Sequence, residues 1–347
     1  MITNFFILLI ILLLINYFFF KKKILIDKSI NNQDSHKKLV NIRNNKVPLS
    51  GGLFVLIGLG FLVLFSDPIL FLLFFFIYLV GLLSDAHFIT SAKIRIFFQI
   101  FTILALVLYS GNSIRDIRVT SFNYLLNYQL ISIMFTVFCI LILINGSNFI
   151  DGVNTLLCGY ILLVLLFIVY VSFKNFLILD KIFVGNYILI LLVFFISNFF
   201  NKSFFGDSGA YLTSAFLGFI LLLFFSKNNQ ISPYFIAVLL WYPAFENLFS
   251  IFKRLFFKRK SYLPDNTHLH HNIFIFLSNK TNLTKNKLST ITGIIINFYN
   301  FFIFLLASQN IYSTQFQVNI ILLNIVFYLC IYYSLIKNIK KNNISYR

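Results

Sequence analysis

Long stretches without a charged residue alternate with short polar connections along the whole chain. Eleven apolar runs recur, near residues 3–20, 50–66, 69–84, 94–110, 123–144, 155–173, 183–200, 210–226, 231–251, 288–307 and 317–336. Each is close to the about 20 apolar residues, or about 17 at the short end, that a helix needs to cross the hydrocarbon core of a bilayer. The pattern predicts an all-α polytopic membrane protein with about 11 transmembrane helices. It reads as one domain over residues 1–347, with a motif-bearing core at about 20–275 and two further helices and a basic tail in 276–347. The run from Met1 to Phe20 has no basic residue before it and is followed by Lys21, Lys22 and Lys23. It is therefore read as a retained anchor and not as a cleaved signal peptide.

Composition supports lipid as the solvent. Apolar residues make up 59% of the chain and charged residues 11%, against about 25% charged in soluble domains. Cys139, Cys158 and Cys330 lie inside apolar runs without metal or redox spacing and read as small packing residues. A net charge of +18 would suit nucleic acid in a soluble protein. In a membrane chain it reflects the excess of Lys and Arg on the cytoplasmic side and the anionic headgroups there, so no nucleic-acid partner is expected. With the N-terminus outside and the C-terminus cytoplasmic, 23 of the 28 Lys and Arg residues fall on the inner face. Arg115, Arg118, Lys174, Lys181 and Lys227 fall outside.

Acidic residues and histidines follow the same bias, although the rule for Lys and Arg does not place them. Asp27, Asp34, Asp85, Asp151, Asp207, Glu246 and Asp265 lie at or near the inner face, as do His36, His87, His268, His270 and His271. Asp67, Asp116 and Asp180 lie outside. Ionisable groups beside membrane segments mark a candidate site.

Three stretches stand out. Asn145, Asn148 and Asp151 recur every three residues before Gly152, so helical turns put them on one face. Two amides and a carboxylate there can bind nucleotide hydroxyls or orient a metal-bound phosphate; a polar helix cap is the bland alternative. In Phe204-Phe205-Gly206-Asp207-Ser208-Gly209, glycines let the backbone approach a ligand and Asp207 supplies the hard oxygen that Mg²⁺ favours. An ordinary turn has the same composition. His268-Leu269-His270-His271 follows Asp265 and the basic run from Lys253 to Lys260. No thiolate is near to suit zinc, and imidazoles among cations fit phosphate oxygens. Asp85 with Lys93 and Arg95, and Lys46 with Pro48-Leu49-Ser50-Gly51-Gly52, complete the inner rim.

In this order, with spans between them, these motifs resemble the polyprenyl-phosphate N-acetylhexosamine-1-phosphate transferases, of the superfamily that includes the phospho-MurNAc-pentapeptide transferase. The likeness covers roughly residues 20 to 275. His268-Leu269-His270-His271 and Asn154-Thr155 look more like the branch that initiates O-antigen and teichoic acid. The resemblance implies a multi-pass enzyme of the bacterial inner membrane with its site on the cytoplasmic face. The implied reaction is transfer of a sugar 1-phosphate from a UDP-sugar to undecaprenyl phosphate, releasing UMP, with Mg²⁺ or Mn²⁺. It also implies that Asp85, Asp151 and Asp207 are catalytic, that Asp207 and Asp85 hold the metal with Asp85 in an acidic pair near the lipid phosphate, and that Asn145, Asn148 and Asp151 line the nucleotide and metal pocket. By the same likeness His268, His270 and His271 hold diphosphate or uridine beside Lys93 and Arg95. A homodimer in membrane lipid is compatible with it.

Three positions depart from the family pattern. Ser84-Asp85-Ala86 stands where two adjacent Asp are usual, and spacing aligns Asp85 with either one. Glu246 replaces an Asp, and Thr155 stands where Gly is frequent. Two alternatives stay open: the peptidoglycan branch, and a lipid-linked-sugar transporter or flippase, which would place ionisable groups near the bilayer midplane.

Overall fold

The computed structural model describes residues 2–27, 47–256 and 268–341. Asp34, His36, Lys46, Asp265 and the basic run beyond Lys253 lie outside the described side chains. Helix α1 (Ile2–Lys22) leads into a two-residue antiparallel ribbon of β1 (Ile26–Asp27) and β2 (Val47–Pro48), with Ile26 opposite Pro48. Then follow α2 (Gly51–Leu59), which runs on into a π turn at Gly60–Leu64, α3 (Pro68–Asp85), α4 (Ala92–Ser110), α5 (Thr120–Leu126) and α6 (Gln129–Ile150). After them come α7 (Leu156–Lys174), α8 (Lys181–Phe199), α9 (Gly206–Lys227), α10 (Pro233–Leu239) and α11 (Trp241–Phe256). The chain closes with α12 (Leu269–Lys280), α13 (Lys285–Ala307) and α14 (Thr314–Lys341).

Among the described residues nine helices are long and apolar enough to cross a membrane, and the all-α, multi-pass expectation holds. The remaining two expected spans differ in form. The second is short: α2 and its π turn cover Gly51–Leu64, because the ribbon occupies the residues before it and Ser66-Asp67-Pro68 stops it. The ninth is broken at Leu240, where α10 and α11 meet at 76°. Pro243 explains the break, since a proline ring clashes with the carbonyl four residues back, here that of Leu239. The carbonyl so displaced is recovered by the buried Tyr160 hydroxyl, which donates to Leu239 O at 2.8 Å and lies 3.4 Å from the Tyr242 N–H. The fifth span is shifted from 123–144 to Gln129–Ile150, with α5 a separate short helix before it.

Helix α9 is the axis of the bundle, with 89% of its apolar stretch buried, against 28% for α1 and 22% for α14. It packs on α2, α3 and α6, and Phe216 at its middle meets the rings of Phe74 and Tyr187 at 4.9 and 4.6 Å.

The two ends of the bundle differ in what their polar residues do. At one end Asp67 caps α3 through the Leu70 N–H and accepts the Tyr109 hydroxyl. Asp180 caps α8 through the Phe183 N–H, and Asp116 accepts from the Arg118 N–H and Asn123 Nδ2. Arg118 clamps the same end by donating to the carbonyls of Tyr312 and Gln230. All three acidic residues expected outside are thus occupied as caps and loop anchors. The other end gathers the start of α2, α4, α7, α9, α12 and α13 and the finish of α3, α6, α8 and α11, tied by bonds such as Gly51 N–H to Phe204 O and Asn154 N–H to Ser289 Oγ.

Candidate active site

Asp207 lies in the first turn of α9, and Asp85 is the last residue of α3. A helix leaves its first N–H groups without intrahelical partners, and its N-terminus carries partial positive charge. Here the cap comes from another helix: Asp85 Oδ1 accepts the Asp207 N–H at 2.8 Å and Oδ2 the Ser208 N–H at 3.0 Å. Gly206 makes this approach feasible. Its φ of +68° is disfavoured for residues with a side chain, and a Cβ there would sit 2.7 Å from Asp85 Oδ2. Asp207 Oδ2 in turn accepts from Arg95 Nη1 at 2.9 Å and from the Ser84 hydroxyl at 2.6 Å, with Tyr211 OH at 3.5 Å. These contacts converge on one carboxylate oxygen of a side chain that is 17% exposed. Two carboxylates and one guanidinium leave a local excess of negative charge when both acids are ionised.

Lys93 is not brought into this group. Residues two apart on a helix do not share a face, and Lys93 is exposed where Arg95 is nearly buried.

Helix α6 carries the polar strip onward. Asn145 Nδ2 donates to Gln99 Oε1 at 3.1 Å and to Leu141 O at 2.9 Å, and Gln99 lies one turn after Arg95 on α4. Asn145 therefore braces α6 against α4. Asn148 is half-buried one turn later, and Asp151 is the C-cap residue of α6. The following turn abuts the histidines: a Cβ on Gly152 would lie 2.3 Å from His270 Nε2 and 3.1 Å from His271 Nε2.

The histidines form the cap and first turn of α12. His268 and His270 stack with planes 9° apart and centroids 5.5 Å apart, and His271 meets His270 edge-on at 4.4 Å. Phe149 of α6 stacks against His268. His270 is fully buried with both ring nitrogens lacking hydrogen-bond partners. Burial, together with neighbouring His271 and His268, holds its pKa well below the ordinary histidine value, so this ring is neutral.

Behind the motif, Thr155 adopts a left-handed φ of +65°, which is strained for a β-branched residue. Its N–H donates to Asn198 Oδ1 at 2.7 Å, and its carbonyl accepts from Asn297 Nδ2 at 2.9 Å. These asparagines, with Gln99 and Tyr211, support the site from outside the sequence motifs. An amide inside an apolar span was the signal available for Gln99, Asn198 and Asn297.

Among the described residues no group of three or more His, Cys, Asp or Glu side chains is arranged to hold a metal ion. The donor set nevertheless fits one kind of ion. Mg²⁺ keeps several waters and is bound through one or two carboxylates plus substrate phosphates, and Asp207 with Asp85 beside it supplies that number.

Residues 68–225, which include Asp85, Arg95, Asn145, Asn148, Asp151 and Asp207, match the family described as Glycosyl transferase family 4. This match supports the likeness that the motifs led us to expect. An undecaprenyl-phosphate alpha-N-acetylglucosaminyl 1-phosphate transferase of Thermotoga maritima is 27% identical to it over 225 residues, which is 65% of this chain and 67% of the relative.

Proposed function

We propose that this protein transfers a sugar 1-phosphate, of the N-acetylhexosamine class, from a UDP-sugar to undecaprenyl phosphate and releases UMP. The observation that carries the proposal is the Asp85–Asp207–Arg95 group at the start of α9, set at the same end of the bundle as the α6 strip and the α12 histidines. That end also bears most of the Lys and Arg residues, so we place it in the cytoplasm. A UDP-sugar from the cytosol and a lipid phosphate from the inner leaflet would meet there.

Phosphoryl transfer requires chiefly positioning and charge neutralisation from a protein. In our reading Asp207, with Asp85 as the next oxygen donor, holds Mg²⁺, which offsets the charge of the diphosphate. Arg95 orients the Asp207 carboxylate. Asn148 and Asp151 contact the nucleotide, and His271 faces the phosphates. A phosphate oxygen of the lipid attacks the phosphorus that bears the sugar; the new P–O bond forms as the bond to UMP breaks. Since a phosphate monoester has its second pKa at about 6, the attacking oxygen is already ionised at neutral pH and needs no general base.

An apolar cavity of about 310 Å³ between α6, α9 and α10, lined by Phe135, Ile140, Leu143, Leu221 and Leu240 among others, offers the lipid chain a seat. Leu143 is eight residues before Asp151, about 12 Å along a helix at 1.5 Å per residue. A first membrane step of a surface polysaccharide, such as O-antigen, fits this chemistry. A flippase fits less well, because the carboxylates sit at one end of the spans.

The test is to incubate purified protein with undecaprenyl phosphate, Mg²⁺ and a panel of UDP-N-acetylhexosamines, starting with UDP-N-acetylglucosamine, and to measure UMP. Release with at least one sugar, abolished by EDTA, is expected. A folded sample inert to the whole panel would refute the proposal.

A further inference from the structure

Glu246 is not among the residues that touch substrate or metal in the proposed transfer, yet its carboxylate is fully buried in α11 and both oxygens are engaged. Oε2 lies 3.0 Å from His268 Nδ1, and Oε1 accepts the Leu269 backbone N–H at 3.1 Å. Ser250 Oγ is 3.4 Å from the same ring nitrogen. Tyr242, Tyr328 and Lys253 also face the carboxylate. One oxygen thus holds the His268 ring, and the other holds the first turn of α12.

A carboxylate of this kind can only accept hydrogen bonds, whereas each nitrogen of a neutral imidazole either donates or accepts. The ring nitrogen at Glu246 must therefore carry a proton, and in the neutral ring the other nitrogen, Nε2, keeps its lone pair. The ring cannot turn to escape this arrangement, because Phe149 stacks on it at 5.5 Å and His270 at 5.5 Å. Through that stack the position of Glu246 reaches His270 and the Asp151–Gly152 turn.

We propose that Glu246 is a positioning residue for the transfer: it keeps the proton on His268 Nδ1, pins the start of α12, and so presents His268 Nε2 as an acceptor for a hydroxyl of the nucleotide sugar. The proposal rests on the transferase function above. It differs from a merely structural ion pair in what it requires of the replacement residue. Glu246→Gln keeps the size and an acceptor for the Leu269 N–H, but it offers an amide donor to Nδ1 and drives the proton to Nε2. Glu246→Asp is shorter but still only accepts.

The experiment measures kcat and KM for the UDP-sugar in Glu246→Gln, Glu246→Asp, His268→Gln and the Glu246→Gln/His268→Gln double variant, with melting temperature as the control for folding. Supporting residues of this type typically change function about 10- to 100-fold. Glu246→Gln should raise KM for the UDP-sugar by about tenfold or more, Glu246→Asp should retain more activity than Glu246→Gln, and Glu246→Gln should add little once His268 is Gln. Equal or better activity in Glu246→Gln than in Glu246→Asp, or an undiminished effect in the His268→Gln background, would overturn the proposal. Should Glu246→Gln not fold, NMR of isotope-labelled histidines in the wild type decides: a proton on His268 Nδ1 with Nε2 bare supports the proposal, and a bare Nδ1 or a proton on both nitrogens overturns it. Inactivity of the wild type toward every UDP-sugar would count against the transferase function, and the NMR result would still stand alone.

Discussion

At the scale of single residues, the two carboxylates of the candidate site do different work. Asp85 spends both oxygens on the backbone of α9, while Asp207 uses one oxygen for Arg95 and Ser84. Replacing Asp207 by Asn preserves its size and an acceptor for Arg95 but removes the charge that would hold a divalent ion. We expect Asp207→Asn to lower UMP release by about 10²- to 10³-fold, the range for removing one electrostatic contributor, with the melting temperature close to wild type. Near-normal turnover would exclude Asp207 as the metal ligand. The motif residues were legible in the sequence because Gly, Asp, Asn and His in an apolar chain are conspicuous. What they bond to was not: the cap that Asp85 supplies joins residues 122 apart, and no local spacing encodes it. Lys93 shows the converse, since proximity in sequence to Arg95 said nothing about sharing its face.

At the scale of elements, the long apolar runs gave the helices directly, whereas interruptions inside a run were harder to read. Pro243 marked the break at Leu240, but the run from 231 to 251 is apolar on both sides of it and reads as continuous. The structure shows why the break matters. Beyond it, α11 turns Glu246, Asn247 and Ser250 inward and leaves Leu248, Ile251 and Phe252 exposed, a polar-inside helix suited to lipid. Broken helices survive in a bilayer only where other groups satisfy the freed backbone, and Tyr160 does so here. Tyr160→Phe should therefore destabilise the detergent-solubilised protein by about 2 kcal/mol, since each buried polar group left unsatisfied costs about 1–3 kcal/mol. Thermal unfolding measures this; an unchanged midpoint would show that the bend has other support. Helix α12 was missed entirely, because a short helix with histidines in its first turn carries no span-length apolar signal.

At the scale of the whole molecule, the polar residues of one end cap helices and anchor loops while the other end carries the candidate site, and from the distribution of Lys and Arg we propose that the latter faces the cytoplasm. Single cysteines test this in a background with Cys139, Cys158 and Cys330 replaced by alanine. In sealed right-side-out vesicles an impermeant thiol reagent should label Lys174→Cys and spare Lys202→Cys until the vesicles are opened; the reverse pattern would invert the orientation. The central claim is that a phosphate travels with the sugar. It is tested most directly with a UDP-sugar radiolabelled in its β-phosphate, incubated with purified protein and undecaprenyl phosphate. Our account predicts that the label enters the solvent-extractable lipid as UMP is released. Transfer of the sugar with the label left behind in UDP would contradict it.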